Sequence, residues 1–227
     1  MHKQTAEKLV KKVEEDYDTI ADEFAQTRHK LWWDEFKIFL EEIKNGQTVI
    51  DIGCGNGRFA KVLKENKKKV KYLGLDISEK LIKIAQKNHP NEKFIKADCA
   101  SIPIDTESAD IAVSTAVIHH IPSRKLQLKA ISEAHRILKP KGKLLMATWN
   151  LWQPKYKKYI WKARLRWLLS LGKYGPRDTM IPWGKSGVKR YYHAFTLKEL
   201  ENLLTSQEFK VEKKIVGAYN ITFICKK

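Results

Sequence analysis

Residues Val49-Ile50-Asp51-Ile52-Gly53-Cys54-Gly55-Asn56-Gly57-Arg58-Phe59 constrain this 227-residue chain more than any other stretch. An apolar run leads into an acid, then into three glycines at alternate positions, then into a helical pattern. Glycine takes positive φ freely and, lacking Cβ, lets the backbone come close to a ligand. A glycine turn between a buried strand and a helix N-terminus is a nucleotide-type loop. The third glycine comes one residue earlier than in the dinucleotide fingerprint, and no Gly-Lys-Ser/Thr follows, which excludes a P-loop. Asp51 stands two residues before the first glycine. A carboxylate at the mouth of the loop repels a pyrophosphate and suits a cation.

S-adenosylmethionine (SAM) is such a ligand: it carries an ammonium and a sulfonium and no phosphate. Asp76 ends the next apolar run, Tyr72-Leu73-Gly74-Leu75-Asp76, 23 residues after Gly53. That is the place for an acid that takes both ribose hydroxyls. Ala97-Asp98-Cys99 ends a third short strand, where a side chain or amide can reach the adenine edge. These elements resemble the class I SAM-dependent methyltransferases from residue 48 to about 150. The resemblance implies SAM as cofactor, with Asp51, Gly53, Cys54, Gly55, Asp76, Ile77, Asp98, Cys99 and Ala116 around it.

Strand and helix patterns alternate along the chain. A helical N-terminus runs to about Ile43, then strand 48–52, helix 57–66, strand 70–75 and helix 79–88. Strands near 93–96 and 109–114, helix 124–138 and strand 143–148 follow. After an insertion come helix 196–206 and strands 209–216 and 219–225. Alternation of this kind predicts an α/β, Rossmann-like fold: a mostly parallel seven-stranded sheet flanked by helices, with an antiparallel pair at its end. It is read as one methyltransferase domain, with a helical cap over 1–46 and the SAM-binding core over 47–149. A basic aromatic insertion covers 150–195, and a helix with a strand pair covers 196–227. No signal peptide and no apolar run of membrane-spanning length is present. Three cysteines (Cys54, Cys99, Cys225), without a CxxC or a His/Cys cluster, argue for a reducing compartment and against a metal site. The expected location is the cytoplasm, with no membrane partner.

The formal charge is +18 and unevenly spread. Between Lys141 and His193 stand thirteen Lys or Arg and one acid, Asp178, so about two-thirds of the net charge lies in under a quarter of the chain. The same segment holds Trp149, Trp152, Trp161, Trp167 and Trp183, and five tyrosines. Cations pair with phosphates and aromatic faces stack on unpaired bases, so this is the footprint of an RNA-binding face. Lys155, Lys158, Lys162 and Arg166 fall on one helical stripe; Tyr156, Tyr159, Ile160, Ala163 and Trp167 fall on the neighbouring one. A solvated packing helix and a helix lying on an anionic membrane are the competing readings. Lys157 and Arg164 interrupt the apolar side and speak against the membrane.

Three further pieces narrow the resemblance. They are Tyr17-Asp18-Thr19-Ile20-Ala21 through Thr27-Arg28, Ala116-Val117-Ile118-His119-His120, and Pro182-Trp183 with Arg190-Tyr191-Tyr192-His193. Together they resemble the eukaryotic-type tRNA methyltransferases that esterify 5-carboxymethyluridine at the wobble position, in a stand-alone form. That implies tRNA as substrate and raises the question of a small activator subunit, as in eukaryotic relatives. It places Tyr17 and Arg28 at the cofactor, Arg28, Arg190 and His193 at the chemistry, and His29, Trp149, Tyr191 and Tyr192 in the substrate wall. A carboxylate is ionised at pH 7 and needs no general base; Arg suits it by its planar donor fork. After the fourth strand the chain reads Ser114-Thr115-Ala116-Val117, where many N-methyltransferases carry Asn/Asp-Pro-Pro-Tyr, which favours an oxygen acceptor. A small-molecule or lipid-like acceptor, and an RNA-binding protein without catalysis, stay open as alternatives.

Overall fold

The computed structural model describes residues 1–28, 34–184 and 186–227. Seven strands form one sheet in the order β3-β2-β1-β4-β5-β9-β8. They are β1 (Thr48–Ile52), β2 (Lys71–Asp76), β3 (Lys93–Lys96), β4 (Ala109–Thr115), β5 (Leu138–Trp149), β8 (Lys210–Val216) and β9 (Asn220–Lys226). Strands β1 to β5 are parallel, and β9 runs antiparallel to both β5 and β8. The chain order reverses at β1/β4, the switch point at which ligands of open α/β sheets bind.

Side-chain alternation in the central strands makes two cores. Ile50, Ile52, Ala112, Leu144 and Met146 face one side, packed by α5 (Arg124–Ile137) and α7 (Leu197–Thr205). Val49, Ile111, Val113, Leu145 and Ala147 face the other, packed by α2 (Asp34–Glu42), α3 (Arg58–Glu65) and α4 (Glu79–Asn88). The interior strands therefore read as near-continuous apolar runs, which is why the sequence placed them to within a residue or two. Strand β5 is the exception: it begins at Leu138, five residues early, because a bulge around Lys141 (φ 68) lets the chain leave α5 and join β4 at once.

The N-terminal helix α1 (Lys3–Arg28) crosses the C-terminal ends of the strands. Asp18 accepts from Ser78 Oγ (2.6 Å) and from the Lys80 amide (3.2 Å) at the start of α4, and Glu14 pairs with Lys96 at the end of β3 (2.6 Å). The insertion holds α6 (Pro154–Leu169) and a separate hairpin, β6 (Asp178–Pro182) with β7 (Lys189–His193). Arg190 and His193 were expected in the irregular insertion, with no strand read there. They lie on β7 instead, where Tyr191 packs against Leu9 and Val13 of α1 while Tyr192 packs with Leu151 and Ile160 toward α6. Charged neighbours on both sides hid a strand whose two faces are both covered by helices. Among the described residues no helix is long and apolar enough to cross a membrane, and no cluster of metal-ligating side chains occurs.

Candidate active site

One cavity opens at the C-terminal ends of β1, β2 and β4, roofed by α1 and β7. Its lining includes Tyr17, Phe24, Gly53, Cys54, Gly55, Asp76, Ile77, Asp98, Cys99, Thr115, Ala116, His119, His120, Trp149 and Arg190. Gly53 is at φ 74, and a Cβ there would stand 2.2 Å from Val117 Cγ2, so the loop and the turn after β4 approach as only glycine allows. The Gly53 and Cys54 amides donate to Leu75 O (2.7 and 2.9 Å), which folds the loop onto the end of β2.

Asp76 accepts from the Gly55 amide (2.8 Å) and the Ser78 amide (2.9 Å) and borders the cavity; burial nevertheless pushes its carboxyl up to about 6. Asp51 does not border it. The sequence reading set this acid at the mouth of the loop, but its side chain turns beneath, where it accepts from Tyr72 Oη (2.7 Å), and burial pushes it up to about 7 against the pull of Arg58. The reason is the strand period: Asp51 shares the face of Val49, not the end of the strand. Asp98 is turned toward its own backbone, accepting from the Ala100 amide (2.8 Å), and burial pushes the Cys99 thiol up. Ala116 holds a left-handed turn at φ 61, its amide donating to Ala147 O (2.8 Å).

Beyond Asp76 the cavity changes character. Arg190 is 3 % exposed, with its guanidinium carbon 4.2 Å from the Trp183 ring centre and 5.2–5.9 Å from those of Tyr192, Tyr17 and Trp149. Among the described residues no carboxylate pairs with it directly; its Nη1 donates to Tyr17 Oη (2.9 Å). Tyr17 Oη also meets His120 Nε2 (2.7 Å), and His120 Nδ1 meets Tyr191 O (2.7 Å). A carbonyl only accepts, so Nδ1 carries the proton and Nε2 accepts from Tyr17. Burial and the Arg190 charge hold His120 down to about 3, hence neutral.

The remaining residues singled out from the sequence are dispersed. Tyr191 and Tyr192 lie behind the lining: Tyr191 Oη donates to Asp178 Oδ1 (2.7 Å), and Tyr192 stacks on Trp149 (5.3 Å) and His119 (5.2 Å). His193 is away from the cavity, clamped between Asp178 Oδ1 (2.8 Å) and Glu199 Oε1 (3.1 Å), with Arg177 on Glu199 (3.0 Å). The two carboxylates raise the His193 pKa in spite of its burial, and both carboxylates are lowered although burial opposes it. Lys155, Lys158 and Lys162 are exposed on α6, whereas Arg166 is tied to Asp178 O and lies over the Tyr174 ring (4.4 Å). Trp161, Leu165, Leu168 and Leu169 form an exposed ridge on the same helix, and Trp167, expected on the buried side, is 43 % exposed. His29 and the side chain of Arg28 lie outside the described residues. Phe24, which lines the cavity, and Trp183, which packs behind it on Phe24 (5.9 Å) and Arg190, were not selected from the sequence; their only signal is their place in the two family-like motifs.

Comparison with known proteins agrees with this geometry. A methyltransferase domain model matches residues 50–146. The tRNA (carboxymethyluridine(34)-5-O)-methyltransferase of Schizosaccharomyces pombe is 30% identical over 210 residues, covering 83% of this chain and 84% of that protein. The Arabidopsis thaliana protein of the same name is 33% identical over 168 residues, 70% of this chain but only 40% of that protein. In fold, a SAM-dependent methyltransferase from Methanosarcina mazei superposes with a TM-score of 0.73 at 22% identity, over 84% of this chain and 96% of that one. A chain from the complex of the Haloferax volcanii Trm112 methyltransferase activator with a methyltransferase superposes at 0.65, 16% identity, over 94% and 96%. The chain is a SAM-dependent methyltransferase and belongs to the family of tRNA (carboxymethyluridine(34)-5-O)-methyltransferases.

Proposed function

We propose that this chain methylates the carboxylate of a carboxymethyl group on a tRNA uridine, the reaction its relatives' names describe. The observation that carries the reading is Arg190: a buried guanidinium, caged by aromatic rings, on the wall of the cavity, with no carboxylate in direct contact among the described residues and Asp16 acting on it only through space. A cation so placed suits an anionic acceptor.

The residues around the glycine loop fit SAM. Asp76 stands where ribose hydroxyls would be held, the Gly53 and Gly55 backbone borders the cavity beside it, and among the described residues no Lys lines the cavity, the cation next to the loop being Arg58. When bound, SAM supplies a sulfonium-activated methyl group. Everything else asked of the chain is positioning. An acceptor carboxylate with a pKa of about 4 is already ionised, so no base is needed; His120, neutral with both ring nitrogens engaged, takes no proton. Arg190 would hold one carboxylate oxygen and leave the other free to attack. Alignment and exclusion of water are worth up to roughly 7–11 kcal/mol of barrier, and the ring of Tyr17, Phe24, Trp149 and Trp183 supports both. The exposed lysines of α6, in the 150–195 insertion of this single domain, suit the tRNA phosphates.

The test is transfer of labelled methyl from SAM to total tRNA, with and without mild saponification, run with and without a Trm112-type activator. Alkali-labile label that rises after saponification is expected. Alkali-stable label would sink the carboxylate acceptor while keeping the RNA; label in small molecules alone would remove tRNA.

A further inference from the structure

Three polar groups on the cavity wall are buried and unpartnered among the described residues: Arg190 Nε, His119 Nε2 and Thr115 Oγ1. Unmade hydrogen bonds of this kind are costly, and proteins seldom keep them without a use. His119 is the most informative, because its tautomer follows from its neighbours. The Trp149 amide, which can only donate, points at Nδ1 (3.2 Å), and Thr148 Oγ1 lies 2.6 Å from the same atom. Nδ1 is therefore the acceptor and Nε2 carries the proton. The ring is fully buried beside Arg190, which keeps it neutral. It thus offers the cavity one uncharged N–H donor.

That donor and the guanidinium line the same cavity, and the charge of Arg190 is felt at the His119 ring. His119 and Arg190 share the same two rings: Tyr192 (5.2 Å from each) and Trp149 (5.7 and 5.9 Å). A pyrimidine with a carboxymethyl group on C5 carries its C4 substituent on the adjacent ring atom. In uracil that substituent is a carbonyl acceptor; in cytosine it is an amine, a donor. We propose that the His119 Nε2–H receives the C4 carbonyl while Arg190 holds the carboxylate, so that His119 selects uracil over cytosine at the modified position. This inference rests on the carboxylate-acceptor reading above. An amine facing His119 would oppose donor to donor and leave both unsatisfied, the arrangement by which polar sites reject near-isosteres most strongly.

The test uses two anticodon stem-loop RNAs that differ at position 34 alone, one with 5-carboxymethyluridine and one with 5-carboxymethylcytidine. The full chain should methylate the uridine with a kcat/KM at least about tenfold higher. His119→Asn keeps an acceptor toward Thr148 and Trp149 through Oδ1 and removes the cavity donor. It should bring the ratio within about twofold of one while leaving the Kd for SAM unchanged, the signature of a lost donor–acceptor contact. His119→Gln, whose Nε2 falls near the ring Nε2, should retain the preference. Equal rates on both RNAs by the unaltered chain, or a preserved ratio in His119→Asn, would overturn the assignment. A weakened SAM affinity in place of a changed ratio would also overturn it, by giving His119 to the cofactor. If His119→Asn does not fold, His119→Gln decides: loss of preference there refutes the proposal and retention supports it. Alkali-labile label on neither RNA is a separate result, which removes the acceptor reading and this inference with it.

Discussion

Arg190 is the residue whose surroundings folding alone does not account for. Burying a guanidinium costs several kcal/mol unless it is paired, and here it finds rings and one tyrosine hydroxyl. Arg190→Met is expected to leave SAM binding intact and to lower kcat/KM for tRNA about 30- to 1000-fold, the loss typical of one partner in a buried charge pair. Calorimetry with SAM and single-turnover rates with tRNA check the two halves. Asp76 carries a different expectation. Asp76→Ala should weaken SAM at least about tenfold, and unchanged affinity would remove the ribose site from this strand end. The pH dependence follows from the same acids. Asp76 and Asp51 have folded values raised to about 6 and about 7. For acids so raised, the protonated form is favoured in the ligand-free fold, so their stabilisation is full below the ordinary carboxylate range and is lost as pH climbs through those values. A ligand met by ionised Asp76 gains over that interval. The gap between the Tm with and without saturating SAM should therefore widen from pH 5 to 8; a constant gap would mean that Asp76 meets the ligand protonated or not at all.

At the level of elements, the β6–β7 hairpin is held by charge as much as by packing. His193, with a raised pKa, contributes stability fully below about 6.5 and loses it as pH rises through its folded value. Asp178 and Glu199, with lowered values, contribute above the usual carboxylate range and lose it on acidification. The hairpin should thus be firmest in mildly acidic to neutral solution. His193→Gln should cost about 2–3 kcal/mol at pH 6 and distinctly less at pH 9, by urea denaturation; equal losses would show that His193 is neutral throughout. This element was the least legible from the sequence. Lys-Arg-Tyr-Tyr-His reads as a polar stretch with two aromatics, because its pattern serves two covers: α1 over Tyr191 and α6 over Tyr192. The central strands were legible for the opposite reason, since both of their faces are apolar.

For the whole molecule, which carries a net charge of +18, the proposed function puts the tRNA phosphates on the cations of α6. Lys155, Lys158 and Lys162 are exposed and distant from the cores, so replacing all three by Ala should leave Tm unchanged. The log–log salt slope of tRNA affinity should become shallower by about 2–3, and an unaltered slope would assign the phosphates to another face. Certain properties were settled by local order alone. Alternate glycines after an apolar run force a strand–turn–helix unit, and the common direction of parallel strands brings the acid at the end of the next strand, Asp76, to the same edge as the loop. Other properties depended on segments far apart in the chain. Asp51 sits under the loop because a strand alternates its faces, and Tyr72, 21 residues on, was there to receive it. Tyr17 and Arg190 meet across 173 residues only because α1 lies over β7, and His119 acquires its proton position from Trp149, 30 residues downstream. Nearest-neighbour pattern fixes backbone course, whereas the charge state and aim of a buried polar group depend on whatever the fold packs against it.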